Sequence, residues 1–108
     1  GAAPAIEDLS AHLDDADEDR WVRVQCADAL ARAGEVVAAS RFLAGVATDA
    51  GQPFPVRLQA VRSLTLCGPA AVTELAALRA AASDPNEYVA AAAAHAVAVV
   101  DGTYAPAP

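Results

Sequence analysis

At 108 residues, 56% of them apolar, the chain is long enough for one domain with a buried core, or for a slice of a longer array. Its net charge of −7 repels phosphate backbones, which argues against general nucleic-acid binding. No stretch reaches the roughly 18 consecutive apolar residues of a membrane span, and no basic n-region of a signal peptide is visible.

Ten of the 14 acidic residues fall within residues 1–54, and every basic residue is an arginine. The alanine- and arginine-rich composition points to a GC-rich bacterial genome. Much of the apolar content is alanine, which favours close helix–helix approach over bulky packing. Cys26 and Cys67 stand alone among apolar residues and form no CxxC, as expected of free thiols in a reducing, cytoplasmic compartment. A disulfide between them is the minor alternative.

Pro4 opens a first helix over Ala5 to Leu13, with Ile6, Leu9 and Leu13 at helical spacing. The run Asp14-Asp15-Ala16-Asp17-Glu18-Asp19 offers N-caps to a second helix over about 18–33. Val22, Cys26, Ala29, Leu30 and Ala33 form its apolar stripe, and Gly34 ends it. A third helix covers about 35–48, and the loop Thr48 to Pro53 breaks the chain. A fourth spans about 54–67. Gly68-Pro69 turns into a fifth that ends near Ala82, and Ser83-Asp84-Pro85 starts a sixth that runs to about Val100. Residues 103–108 read as a frayed tail or linker.

Three of these helices are one helix written three times. Val22, Val56 and Val89 lie 34 and 33 residues apart, and so do Leu30, Leu64 and Val97. A fixed period of this size means stacked supersecondary units. The first copy reads Leu13-Asp14-Asp15, Val22-Arg23, Ala27, Ala29-Leu30 and Gly34. The second keeps Val56-Arg57, Ala60-Val61, Leu64 and Gly68. The third keeps Asp84-Pro85, Val89, Ala93-Ala94 and Val97, with Ala90 in place of the arginine. The tetratricopeptide and ankyrin signatures are absent.

This pattern resembles the short HEAT-like repeats of the phycobilisome lyase type. The resemblance implies an all-α, right-handed superhelix of three helical hairpins over residues 1–102, with repeats at about 4–34, 35–68 and 69–102. It also implies structural roles for Arg23 and Arg57, pairing with loop acids such as Asp15, Asp17 or Asp49. Gly34 and Gly68 end their helices. The missing third arginine suggests that this ladder stops at the third copy.

Catalytic and metal patterns are weak. Asp15, Asp17 and Asp19 have the spacing of an EF-loop start, but Arg20 stands where Gly is required and Cys26 where the bidentate Glu is required. His12 and His95 lack the following Glu of HEAT-type di-iron hydroxylases, and they form no zinc set. No serine sits in a nucleophile elbow, and Ser63 aligns with Ala29 and Ala96 as a small core residue. No cofactor and no metal are expected.

The face opposite the apolar stripe is more informative. Spacing of i, i+4, i+7, i+11 collects Trp21, Gln25, Asp28 and Arg32, then Pro55, Gln59, Arg62 and Leu66, then Tyr88, Ala92, His95 and Val99. Inner helices of helical solenoids line a concave surface, and Trp, Tyr and Arg are favoured interface anchors. The alternative is that Trp21 and Tyr88 merely cover helix ends. The sixth helix is apolar all round from Val89 to Val100 except for His95. A further repeat, a second subunit (self-association through 89–100), or the small size of alanine accounts for this.

The expected function is a non-catalytic scaffold that binds another protein through Trp21, Gln25, Asp28, Arg32, Gln59, Arg62, Tyr88 and His95. Two alternatives stay open. One is an accessory subunit or lyase-like enzyme of the bilin-lyase type. The other is a DNA-binding HEAT-like domain, which the acidic charge disfavours.

Overall fold

The computed structural model describes residues 2–104, with side chains from residue 5 onward. The helices are α1 (Ala2–Asp14), α2 (Arg20–Arg32), α3 (Val36–Ala47), α4 (Phe54–Cys67), α5 (Leu75–Ala81) and α6 (Glu87–Asp101), with a 3-10 segment over Gly68–Glu74 ahead of α5. No strand occurs among the described residues, and none of these helices is long and apolar enough to cross a membrane.

Helix ends fall where the side chains can satisfy them. Asp19 Oδ1 accepts the backbone N–H of Trp21 at 2.9 Å and of Val22 at 3.3 Å, filling two donors that the start of α2 leaves open. At its other end, Gly34 sits at φ +93°. The Gly34 N–H donates to the Ala31 carbonyl and the Glu35 N–H to the Leu30 carbonyl, a Schellman stop. Any side chain at that φ would be strained, which explains the glycine. Gly68, at φ +58°, turns the chain out of α4.

Several details differ from the sequence expectation. The fifth helix is split. Its first half is 3-10, interrupted at the fully buried Ala71 (φ −93°, ψ 16°), and only Leu75–Ala81 is α-helical. The sixth helix starts at Glu87, not at Ser83–Pro85. Asn86 is its cap, accepting from the N–H groups of Tyr88 and Val89, because Asp84 is drawn away to an arginine. The buried stripe of α2 is Val24, Cys26, Ala27 and Leu30, whereas Val22 and Ala33 are exposed. Thr103 and Tyr104, expected in a loose tail, both donate backbone N–H groups to the Ala98 carbonyl at 2.9 Å. Residues 105–108 of that tail lie outside the described residues.

Consecutive helices pack on one another, except that α4 meets the 3-10 segment and not α5, and the packing sorts them into two layers. α4 touches both α2 and α6, while α3 touches the 3-10 segment and α5. The extents, 40 × 32 × 21 Å, agree: the short axis is two helix diameters of about 10 Å each. Leu30, Leu43, Leu64 and Leu78, from α2 to α5, are buried between the layers. Fully buried alanines (Ala27, Ala39, Ala60, Ala71, Ala93 and Ala96) let the backbones approach closely.

Burial at repeat-related positions changes along the chain. Val22 is 39% exposed, Val56 is half-buried and Val89 is fully buried. The second set runs the other way: Leu30 and Leu64 are buried, and Val97 is half-buried.

Candidate interaction face

The layer of α2, α4 and α6 carries the candidate residues. On α2, Trp21 is 45% exposed, Gln25 and Arg32 are exposed, and Asp28 is half-buried. On α4, Arg62 is exposed, Leu66 is 55% exposed and Gln59 is half-buried. On α6, Tyr88 is 63% exposed, His95 is exposed, and Ala92 and Val99 are half-buried. None of these positions is buried, so the sequence spacing selected a solvent-facing row.

A polar network ties α2 to α4 in the middle of this row. The Ser63 hydroxyl donates to Asp28 Oδ1 at 2.6 Å, and Arg32 Nε donates to Asp28 Oδ2 at 2.7 Å. Gln59 Nε2 donates to the Ser63 hydroxyl at 3.3 Å. Partial burial pushes the Asp28 carboxyl upward, but the hydrogen bonds from Ser63 and Arg32 outweigh it and hold the group below its ordinary value. Sequence reasoning placed Ser63 in the core and missed this bond. The available signal was a hydroxyl in one copy where the other two carry alanine.

The two structural arginines behave differently from each other. Arg57 Nε donates to Asp84 Oδ2 at 2.9 Å, and its Nη2 donates to Oδ1 at 3.0 Å. Nη1 donates to the Gln52 carbonyl. The guanidinium thus binds a loop acid, but the acid is Asp84 and not Asp49, which instead accepts from Gly51 N–H and Gln52. The Arg57 hydrogen bonds hold the Asp84 carboxyl below its ordinary value. Arg23 forms no ion pair among the described residues, so the expected contacts with Asp15 and Asp17 are not made. Its Nε donates to the Leu13 carbonyl at 2.9 Å, and its guanidinium lies 4.6 Å from the centre of the Phe42 ring.

Neither the Ser40 nor the Ser63 hydroxyl donates to a histidine. Ser40 donates to the Val37 carbonyl and Ser63 to Asp28. His12 hydrogen-bonds Glu18, and His95 meets the Tyr104 ring edge-on at a centroid distance of 4.8 Å. Cys26 and Cys67 are free thiols. Burial, reinforced by the charge of Glu18 on Cys26 and of Asp28 on Cys67, pushes both upward and suppresses the thiolate. Among the described residues no three His, Cys, Asp or Glu side chains converge as a metal set. A depression of about 280 Å³ lies beside the Arg57–Asp84 pair, lined by residues such as Ala47, Ala81 and Ser83 and by no member of the candidate row.

No family model matches the chain, and neither does any curated protein or any solved structure.

Proposed function

We propose that this chain is a short right-handed stack of three HEAT-like hairpins, at about 4–34, 35–68 and 69–102, that binds another protein without catalysis. The observation that carries the reading is the row of exposed anchors (Trp21, Arg62 and Tyr88) on three helices of one layer. Large aromatic and arginine side chains are over-represented at interface hot spots, and here they stand in solvent. The burial gradients support the stack. A position facing the preceding hairpin is uncovered in the first copy, as Val22 is, and a position facing the following hairpin is only partly covered in the last, as the half-buried Val97 is. The free, unactivated thiols fit a cytoplasmic setting.

Replacing Trp21 with Ala and Arg62 with Glu together is expected to weaken capture of the partner protein while circular dichroism stays helical. Unchanged binding would reject this surface.

The exposed side of α6 offers little apolar area to a second copy of the chain. Val89 and Val100 are buried, Val97 and Val99 are half-buried, and the exposed positions of 89–100 are Ala91, Ala94 and His95. Alanine's small area makes that exposure tolerable. The chain is expected to run as a 10.9 kDa monomer by light scattering, and a dimer would restore α6 as an interface.

A further inference from the structure

Charge on this chain is sorted by helix. α2 and α4 together carry five of the seven arginines and, in Asp28, one of the 14 acidic residues. α6 has acids only at its two ends, Glu87 and Asp101. Three of the five arginines are used internally: Arg20 and Arg23 lie over the Phe42 ring of α3, and Arg57 is held by Asp84. Arg32 and Arg62 remain on the outer side of the layer. Arg62 is exposed and forms no ion pair among the described residues. Arg32, its side chain 63% exposed, gives only Nε to Asp28. The Asp28 carboxylate is itself bonded to Ser63, so the Arg32 guanidinium is drawn toward the stretch of α4 that holds Arg62 and Leu66. Leu66 follows Arg62 by one turn and is 55% exposed. His95, also exposed, stands at the repeat-equivalent position of Arg62 on α6.

A basic surface with an exposed leucine, on a chain of net charge −7, selects its ligand by local charge and apolar contact together. We propose that the Arg32, Arg62 and Leu66 patch takes an acidic segment of the partner protein, one that carries an apolar residue between its carboxylates. Each guanidinium presents N–H donors to a carboxylate, and the apolar residue covers Leu66. Two free arginines are too few to hold a phosphate backbone against the acids elsewhere on the chain, whereas a short peptide meets only the patch. The inference rests on reading the α2, α4 and α6 layer as the partner surface, and it adds the sign and composition of the partner.

The test is anisotropy of a fluorescein-labelled Glu-Glu-Leu-Glu-Glu peptide titrated with the whole chain at about 0.15 M salt, where charges more than about 8 Å away are screened. Saturable binding is expected. Arg62→Gln, which breaks no internal bond, is expected to weaken it about fivefold, and Leu66→Ser by a similar factor. Arg41→Gln with Arg79→Gln removes exposed arginines from α3 and α5 and is expected to change it less than about twofold. No saturable binding, or equal losses in the Arg62 and the Arg41/Arg79 variants, would overturn the proposal. Displacement of the peptide by a short DNA duplex would give the patch to phosphate and overturn it. A dimer in light scattering that is lost on Arg62→Gln would give it to a second copy and overturn it too. Binding of Lys-Lys-Leu-Lys-Lys instead, lost on Trp21→Ala, would overturn the acidic partner while leaving the interaction face itself standing.

Discussion

The hydroxyl of Ser63 in α4 donates a 2.6 Å hydrogen bond to the carboxylate of Asp28 in α2, joining residues 35 apart in sequence. The bond is short and charge-assisted, and Ser63 is fully buried. It fixes the two helices in register at the centre of the candidate face. Ser63→Ala places here what the other two copies carry, yet it strips a donor from a mostly buried carboxylate. A loss of about 1–2 kcal/mol is expected in urea unfolding. No loss would show that Arg32 alone satisfies Asp28.

The second ion pair of consequence is Arg57–Asp84, with side chains only 12% and 8% exposed. Removing one partner of such a pair leaves the other charge poorly compensated, so Asp84→Ala is expected to cost about 3 kcal/mol. Asp28 and Asp84 both titrate below their ordinary values in the folded chain. Their contribution is therefore present above the unfolded carboxylate value and lost as pH falls through the folded one. Stability should be flat above about pH 5 and decline below about pH 4. Asp84→Asn should flatten that acid limb as well as lower the plateau, and an unchanged limb would contradict the assignment.

The graded burial of the three matching valines gives a test of the stacking itself. Val22→Ala is expected to cost under about 0.5 kcal/mol, since the side chain is already exposed. Val89→Ala removes buried methyl groups and leaves a cavity, at about 2 kcal/mol. Val56→Ala should fall between them. Equal costs at all three sites would contradict the graded burial on which the stack is argued.

Much of this arrangement could be read in the sequence, and the misses have a common cause. The α2 and α4 boundaries followed from Asp19, Gly34 and the Gly68 turn, which are local signals. The start of α6 did not, because Asp84 looks like a cap until Arg57, 27 residues away, claims it. The phase of the α2 stripe was ambiguous since Val22 and Val24 are equally apolar, and only the neighbouring helices decide which is buried. Pro69 signalled a full helix, but the chain runs as a 3-10 segment interrupted at the buried Ala71 before α5 begins. The solvent-facing row of Trp21, Arg62 and Tyr88 came from helical spacing alone. The Ser63–Asp28 bond that braces it is non-local and was invisible.

Spin-label distances among positions 25, 59 and 92, in a Cys26→Ala/Cys67→Ala background, test the open layer most directly. These are equivalent sites on α2, α4 and α6. Three helices side by side predict a 25-to-92 separation about twice that of 25-to-59, near 20 Å against 10 Å at the backbone. Three equal separations would describe a closed bundle, and the shared face proposed here would not exist.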